Sequence, residues 1–357
     1  MNVLSKSACF LFALWGLLAC NKPEILQEST LSSENVKDTI DFRGEIVAVL
    51  RSFPKRFLNQ SAEDFDAYYA AQNREANVRT NGEGDYLTAE EMLAVLQPLA
   101  KKYPDLSWEK EISEPDLRRI YADFKSITTV EEVREKSDLI LAFYNDMFKP
   151  EAVAAIIAYK KTRKRGRTET IFDPFGIVFP YEESKILSVP IFAPLYMMSG
   201  ATAKEMAQIY GKAEQGRRGD AFRHGAWNCL VMRNLMIAGA SKSTSVEYAQ
   251  KCITAHERED QADDPKTLDA AMDLFNNLSA RTWMYSSTSW GVGPNRIMPS
   301  EFHIRDQMKT WADNAGWIFK DWYLQQIVID NQGNTGNWGA LYGACTGNFQ
   351  HLMYYIN

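Results

Sequence analysis

Between residues 220 and 281, three short stretches concentrate side chains that can move protons, hold anions or bind a cation. The first reads Asp220-Ala221-Phe222-Arg223-His224-Gly225-Ala226-Trp227-Asn228. At about 100° per residue on a helix, Asp220, His224, Trp227 and Asn228 fall within an arc of roughly 100°. The apolar run that follows, CLVMRNLMIAG, predicts that this helix is buried, where a carboxylate, an imidazole and an amide are costly without partners. The second stretch ends a helix that Thr244-x-x-Glu247 is expected to cap; it puts His256 and Asp260 on one face with Glu257 beside them. In the third, Leu268 to Arg281, Asp269, Asp273, Asn276 and Asn277 line the side opposite Ala271, Leu274 and Leu278.

These residue types suit hydrolysis. His224 can serve as general base with Asp220 orienting its ring, and Arg223 can hold an anionic group such as phosphate. Alternatively His224 and His256, with Glu257 or Asp273, supply two imidazoles and two carboxylates for a divalent metal, zinc or calcium. The chain has no H-E-x-x-H or H-x-H spacing, so the ligands would have to come from different elements. Trp227, Asn228, Asn276 and Asn277 are the candidate binding residues. The competing expectation is a packing network, because Asp, Arg, His and Asn side chains can fix a helical core without doing chemistry. A third is surface binding to lipid or glycan through aromatic and basic patches.

The combination D-A-F-R-H-x-x-W-N, A-H-E and M-D-x-x-N-N resembles a helical bacterial domain of unknown function. That family is found in lipoproteins, secreted proteins and the C-terminal regions of large Rhs-type, toxin-like polypeptides. The resemblance covers about residues 216–329. It implies that Asp220, Arg223, His224, Trp227, Asn228, His256, Glu257, Asp273, Asn276 and Asn277 form one site. Where the family pattern has Gly in N-N-x-x-G-R, this chain has Ala280 before Arg281. A weaker similarity is to secreted phospholipases A2, whose helix carries R-H-D. Here Gly225 follows His224, and the dense paired cysteines of that class are missing.

The elements that must position these residues read as mainly α, in helical bundles, with at most a short strand near the C-terminus. Capping boxes at Thr88-x-x-Glu91 and Thr129-x-x-Glu132 mark two helix starts, Pro150 is expected to open another, and Thr202-x-x-Glu205 one more. A helical N-terminal region is expected over 39–199 and the motif-bearing helical domain over 200–357. Residues 168–199, rich in Pro, Phe and Ile, read as irregular structure or short strands, and QQIVID at 325–330 as a strand. The run KKTRKRGR at 160–167 reads as a solvated loop.

The amino terminus carries an export signal. Lys6 precedes an apolar run, CFLFALWGLL at 9–18, that is shorter than the roughly 20 residues needed to span a bilayer. Leu17-Leu18-Ala19-Cys20 then has the form of a lipobox, so residues 1–19 are expected to be removed and Cys20 lipidated. The polar segment 20–38 reads as a tether. The membrane is therefore an expected partner through that lipid, in the cell envelope and at the outer membrane. The net charge of −6 argues against nucleic acid. Cys229, Cys252 and Cys345 are too few and too odd in number for a disulfide framework.

Overall fold

The computed structural model describes residues 36–76, 87–162, 177–211, 218–257, 268–289, 296–319 and 352–356. Cys20, Asp260, Cys345, the 325–330 segment and most of the 160–167 run lie outside them. The described chain is mainly α-helical.

It opens, however, with strands. β1 (Lys37–Phe42) and β2 (Glu45–Leu50) form an antiparallel hairpin with Phe42 opposite Glu45. Its turn residues Arg43 and Gly44 both have positive φ, +54° and +87°. That is the mirror-image turn whose twist matches a hairpin, and Gly44 enters it without strain. This corrects the expectation of helix from residue 39 and of strand near the C-terminus only. Val47, Ala48 and Val49 are buried in succession, so the period-two alternation that marks a strand is lost.

Helices α1 (Ala62–Glu75) and α2 (Ala89–Ala100) follow, with β3 (Leu87–Thr88) just before α2. Then come α3 (Glu114–Asp123), α4 (Val130–Glu135) and the long α5 (Ser137–Thr162). The boxes at Thr88 and Thr129 cap α2 and α4 as the sequence indicates. Pro150 does not open a helix; it sits inside α5. Phe143, Tyr144 and Phe148 are buried before it and Ala152, Val153 and Ile156 after it, so core packing holds both halves to one axis. Lys160 also departs from expectation, since it lies in α5 with its ammonium 2.6 Å from Glu183 Oε1.

After β4 (Ile177–Val178), paired with β3, come α6 (Pro180–Leu187) and α7 (Ala193–Tyr210). Two prolines near their first turns, Pro180 and Pro194, start these helices in a stretch expected to be irregular. Thr202 therefore falls inside α7, which runs unbroken through residue 199. The remaining elements are α8 (Arg218–Ile237), α9 (Lys242–His256), α10 (Leu268–Ser286), α11 (Glu301–Asp313), β5 (Gly316–Phe319) and β6 (Met353–Ile356), the last two paired in parallel. Ser241, not Thr244, caps α9: its Oγ accepts the Thr244 N–H at 3.1 Å.

α8 is the axis of the C-terminal part. It packs against α7, α9, α10 and α11, and every residue from Gly219 to Met232 is buried. Gly225 permits this, because a Cβ there would sit 2.7 Å from Met308 Sδ of α11 and 3.3 Å from Leu352. One hydrophobic cluster runs from Phe42 to Leu352 without a gap at residue 199. Cys229 and Cys252 are buried free thiols. Among the described residues, no single helix is long and apolar enough to cross a membrane.

Candidate functional site

α8, α9 and α10 bring the three sequence stretches together around the His224 ring. Its Nε2 lies 3.6 Å from Asp220 Oδ1, one turn earlier on α8, and 3.4 Å from Asp273 Oδ1 on α10. On the other side of the ring, Nδ1 lies 3.3 Å from Oε1 of Glu257, the residue that ends α9. One ligand atom each from Asp220, His224 and Asp273 lies within 4.8 Å of the others. All four residues are buried.

A chain of amides holds this centre. Asn228 Nδ2 donates to the His224 carbonyl at 2.8 Å and to Asn277 Oδ1 at 2.6 Å. Asn277 Nδ2 in turn donates to Glu257 Oε1 at 3.0 Å. Arg281 Nη1 donates to Asn228 Oδ1 at 2.8 Å, closing the line on α10. Arg223 pairs with Asp220 one turn away on α8. Burial of this kind is affordable only when nearly every lone pair and proton has a use.

The electrostatics follow from these contacts. Burial alone would raise the Glu257 carboxyl. The adjacent His224, then His256 and the Asn277 hydrogen bond, outweigh it and hold Glu257 below the usual range. Burial pushes the Arg281 guanidinium down to about 10 against the pull of Glu257, which leaves it charged at neutral pH.

His256 takes a different place. Its Nδ1 lies 2.9 Å from Glu182 Oε2, and Tyr196 donates its hydroxyl to the other oxygen of Glu182 at 2.7 Å. Burial pulls the His256 imidazole down, but Glu182, with Glu257 behind it, outweighs this and holds it above the ordinary histidine value. Trp227 stands beside it, its ring edge-to-face with His256 at 5.1 Å and tilted against Tyr196 at the same distance. Gly200 leaves room for that indole: a Cβ there would be 3.3 Å from Trp227 Nε1. Asn276 is fully buried. The side chain of Asp269 lies outside the described residues.

Of the residues expected to bind a metal, His224 and Asp273 converge, and Asp220 joins them. Glu257 faces the opposite nitrogen of His224, and His256 faces Glu182. Sequence reasoning missed Glu182 and Tyr196 entirely. The signal that could have pointed to Glu182 is Pro180-Tyr181-Glu182-Glu183, a proline and two acids in a first helical turn.

The fold and the cluster together define a helical domain organised around a buried acid–imidazole centre. Residues 185–303 match the family model DUF6973, a domain of unknown function. No curated protein and no solved structure matches the chain. Glu182 lies just ahead of the matched segment.

Proposed function

We propose that Asp220, His224 and Asp273 hold a divalent cation, and that the domain is a metal-assisted hydrolase of ester or amide bonds. The observation that carries this is the two-sided setting of His224: two carboxylates at Nε2 and one at Nδ1. A ligating imidazole commonly donates its second ring N–H to a carboxylate, which fixes the tautomer and raises its basicity. Glu257, itself held by Asn277, is in the position for that role.

Charge supports the same reading. The Asp220 and Asp273 carboxylates both stand at His224 Nε2, and a cation between them would offset their mutual repulsion. One nitrogen and two carboxylate oxygens suit a zinc-like ion better than calcium, which prefers an all-oxygen shell. Such a cation would polarise a carbonyl or phosphoryl oxygen. Arg223 would then bind negative charge on the substrate, and Glu257 would steady the imidazole.

The export signal and Cys20 support a tethered protein working at the envelope, most simply on the outer membrane. An envelope lipid is the natural substrate class. The test is release of fatty acid from phospholipid vesicles by the chain lacking residues 1–19, with zinc and after chelation. Metal-dependent release that disappears in Asp273→Asn supports the proposal, and release that is unaffected by chelation contradicts it. Incorporation of radiolabelled palmitate that is lost in Cys20→Ala tests the anchor.

The complete burial of the cluster favours a second reading, a packing network without turnover. It predicts that Asp273→Asn lowers stability and binds no less metal than the natural chain.

A further inference from the structure

A cleft of about 560 Å³ opens between the start of α9 and the end of α10, with Lys242, Tyr285, Ser287, Ser289 and Ile297 among its walls. Lys242 and His256 are the two ends of α9, about 21 Å apart at the rise of an α-helix, so the cleft is no extension of the His224 centre. Lys242 brings a charge to the wall. It is only 8 % exposed, and its ammonium donates to the Thr288 carbonyl at 2.7 Å and lies 3.9 Å from the centre of the Tyr285 ring. A carbonyl and a ring face hold an ammonium in place without cancelling its charge. Arg296 adds to the same field: its Nη1 donates at 2.9 Å to the carbonyl of Ala240, two residues before Lys242, and its charge acts on Lys242 as a like charge.

The run Ser286-Ser287-Thr288-Ser289 supplies hydroxyls. Ser286 and Thr288 turn theirs back onto the last helical turn, donating to the Trp283 and Met284 carbonyls. Ser287 and Ser289 do not. Ser289 Oγ accepts the Ile297 N–H at 2.9 Å, and among the described residues neither hydroxyl donates to a protein group. A hydroxyl used as an acceptor still has its proton to give. The cleft therefore joins an ammonium and two hydroxyl donors to an aromatic face and the aliphatic side chain of Ile297. Its volume is in the range of sites that take whole small molecules, and its apolar walls suit an organic body better than a bare ion.

We propose that this cleft binds an organic phosphate, with the Lys242 ammonium on the phosphate and the Ser287 and Ser289 hydroxyls donating to its oxygens. A phosphate group has acceptor oxygens for all three donors, and lysine meets it as a point charge. The organic part of the ester lies against Tyr285 and Ile297. A soluble phosphate ester and a phospholipid headgroup offer this same chemistry. The site is one of binding, not of turnover, and stands or falls apart from the His224 centre.

The experiment titrates the full chain with glycerol 3-phosphate by calorimetry and measures its sedimentation with phosphatidylglycerol vesicles. The amino-terminal segment is common to natural and variant chains, so the differences between them are what count with vesicles. The expected result is saturable binding that weakens at least roughly 10-fold in Lys242→Met, the scale of a lost hydrogen bond to a charged group. Ile297 is 76 % exposed, so Ile297→Glu should leave the fold intact while setting a carboxylate at the rim. It should weaken binding roughly 2- to 5-fold, as a single exposed charge does. If Lys242→Met does not fold, Ile297→Glu decides in the same way. Binding of glycerol 3-phosphate supports the proposal with a soluble ester as the source, and Lys242-dependent binding of vesicles alone supports it with a headgroup. No binding of either probe by the natural chain overturns it, as does binding that folded Lys242→Met retains in full; Lys242 then serves only to cap the end of α10.

Discussion

Glu182 and Glu183 are neighbours in α6, yet they serve two buried clusters built on different principles. Glu183 meets Lys160 and the hydroxyl of Tyr69, which ties α6 to α5 and α1. One carboxylate faces one ammonium and one phenol, and the charges cancel. Glu182 meets His256 and Tyr196, next to the His224 centre, where three carboxylates surround one imidazole. A balanced buried cluster needs nothing from outside the chain. A ring of carboxylates about one imidazole offers ligand atoms that a helix-joining ion pair does not.

The largest effect should come from the balanced cluster. Glu183→Ala strands Lys160 and should cost about 3–5 kcal/mol in urea unfolding, with no change in metal binding. The paired change Glu183→Leu with Lys160→Met should recover most of that loss. If it does not, the cluster is doing more than joining helices.

The His224 cluster should respond to metal instead. Zinc at one hundred times its dissociation constant should stabilise the metal-free chain by about 2.7 kcal/mol, read as a rise in melting temperature. The rise should vanish in His224→Ala and persist in Glu183→Ala. Asn228→Ala breaks the line from Arg281 to Asn277 in both metal states and should cost about 1–3 kcal/mol. An equal loss on removing Asn228 and on removing His224, with no response to zinc, would reduce the centre to packing.

The smallest effect concerns His256. Its folded-state pKa is raised above 6.5, so protonation favours the fold. That contribution is complete below about pH 6.5 and is lost as pH rises through the raised folded value. The stability difference between the natural chain and His256→Asn, followed by urea unfolding from pH 5 to 9, should therefore shrink with rising pH. A difference that grows instead would put the proton elsewhere.

The sequence disclosed the two halves of the molecule unequally. Asp220, His224, Asn228, Asp273 and Asn277 were legible because buried helices show polar residues as interruptions at helical spacing. The starts of α2 and α4 were legible because capping boxes are local chemistry. Pro150 and Thr202 misled, since both carry strong start signals and tertiary burial overrides them. Glu182 was invisible for a related reason: acids are common in exposed first turns, and nothing local separates one that is buried. Its partner His256 lies 74 residues away. The hairpin of β1 and β2 was missed because its inner strand is buried on both faces at Val47, Ala48 and Val49.

The most direct test of the central claim is calorimetric titration of the metal-free chain with zinc, beside His224→Ala and Asp273→Asn. The account predicts one saturable equivalent in the natural chain and none in either variant, both of which stay folded. Saturable binding that survives both substitutions, or none in the natural chain, would contradict it.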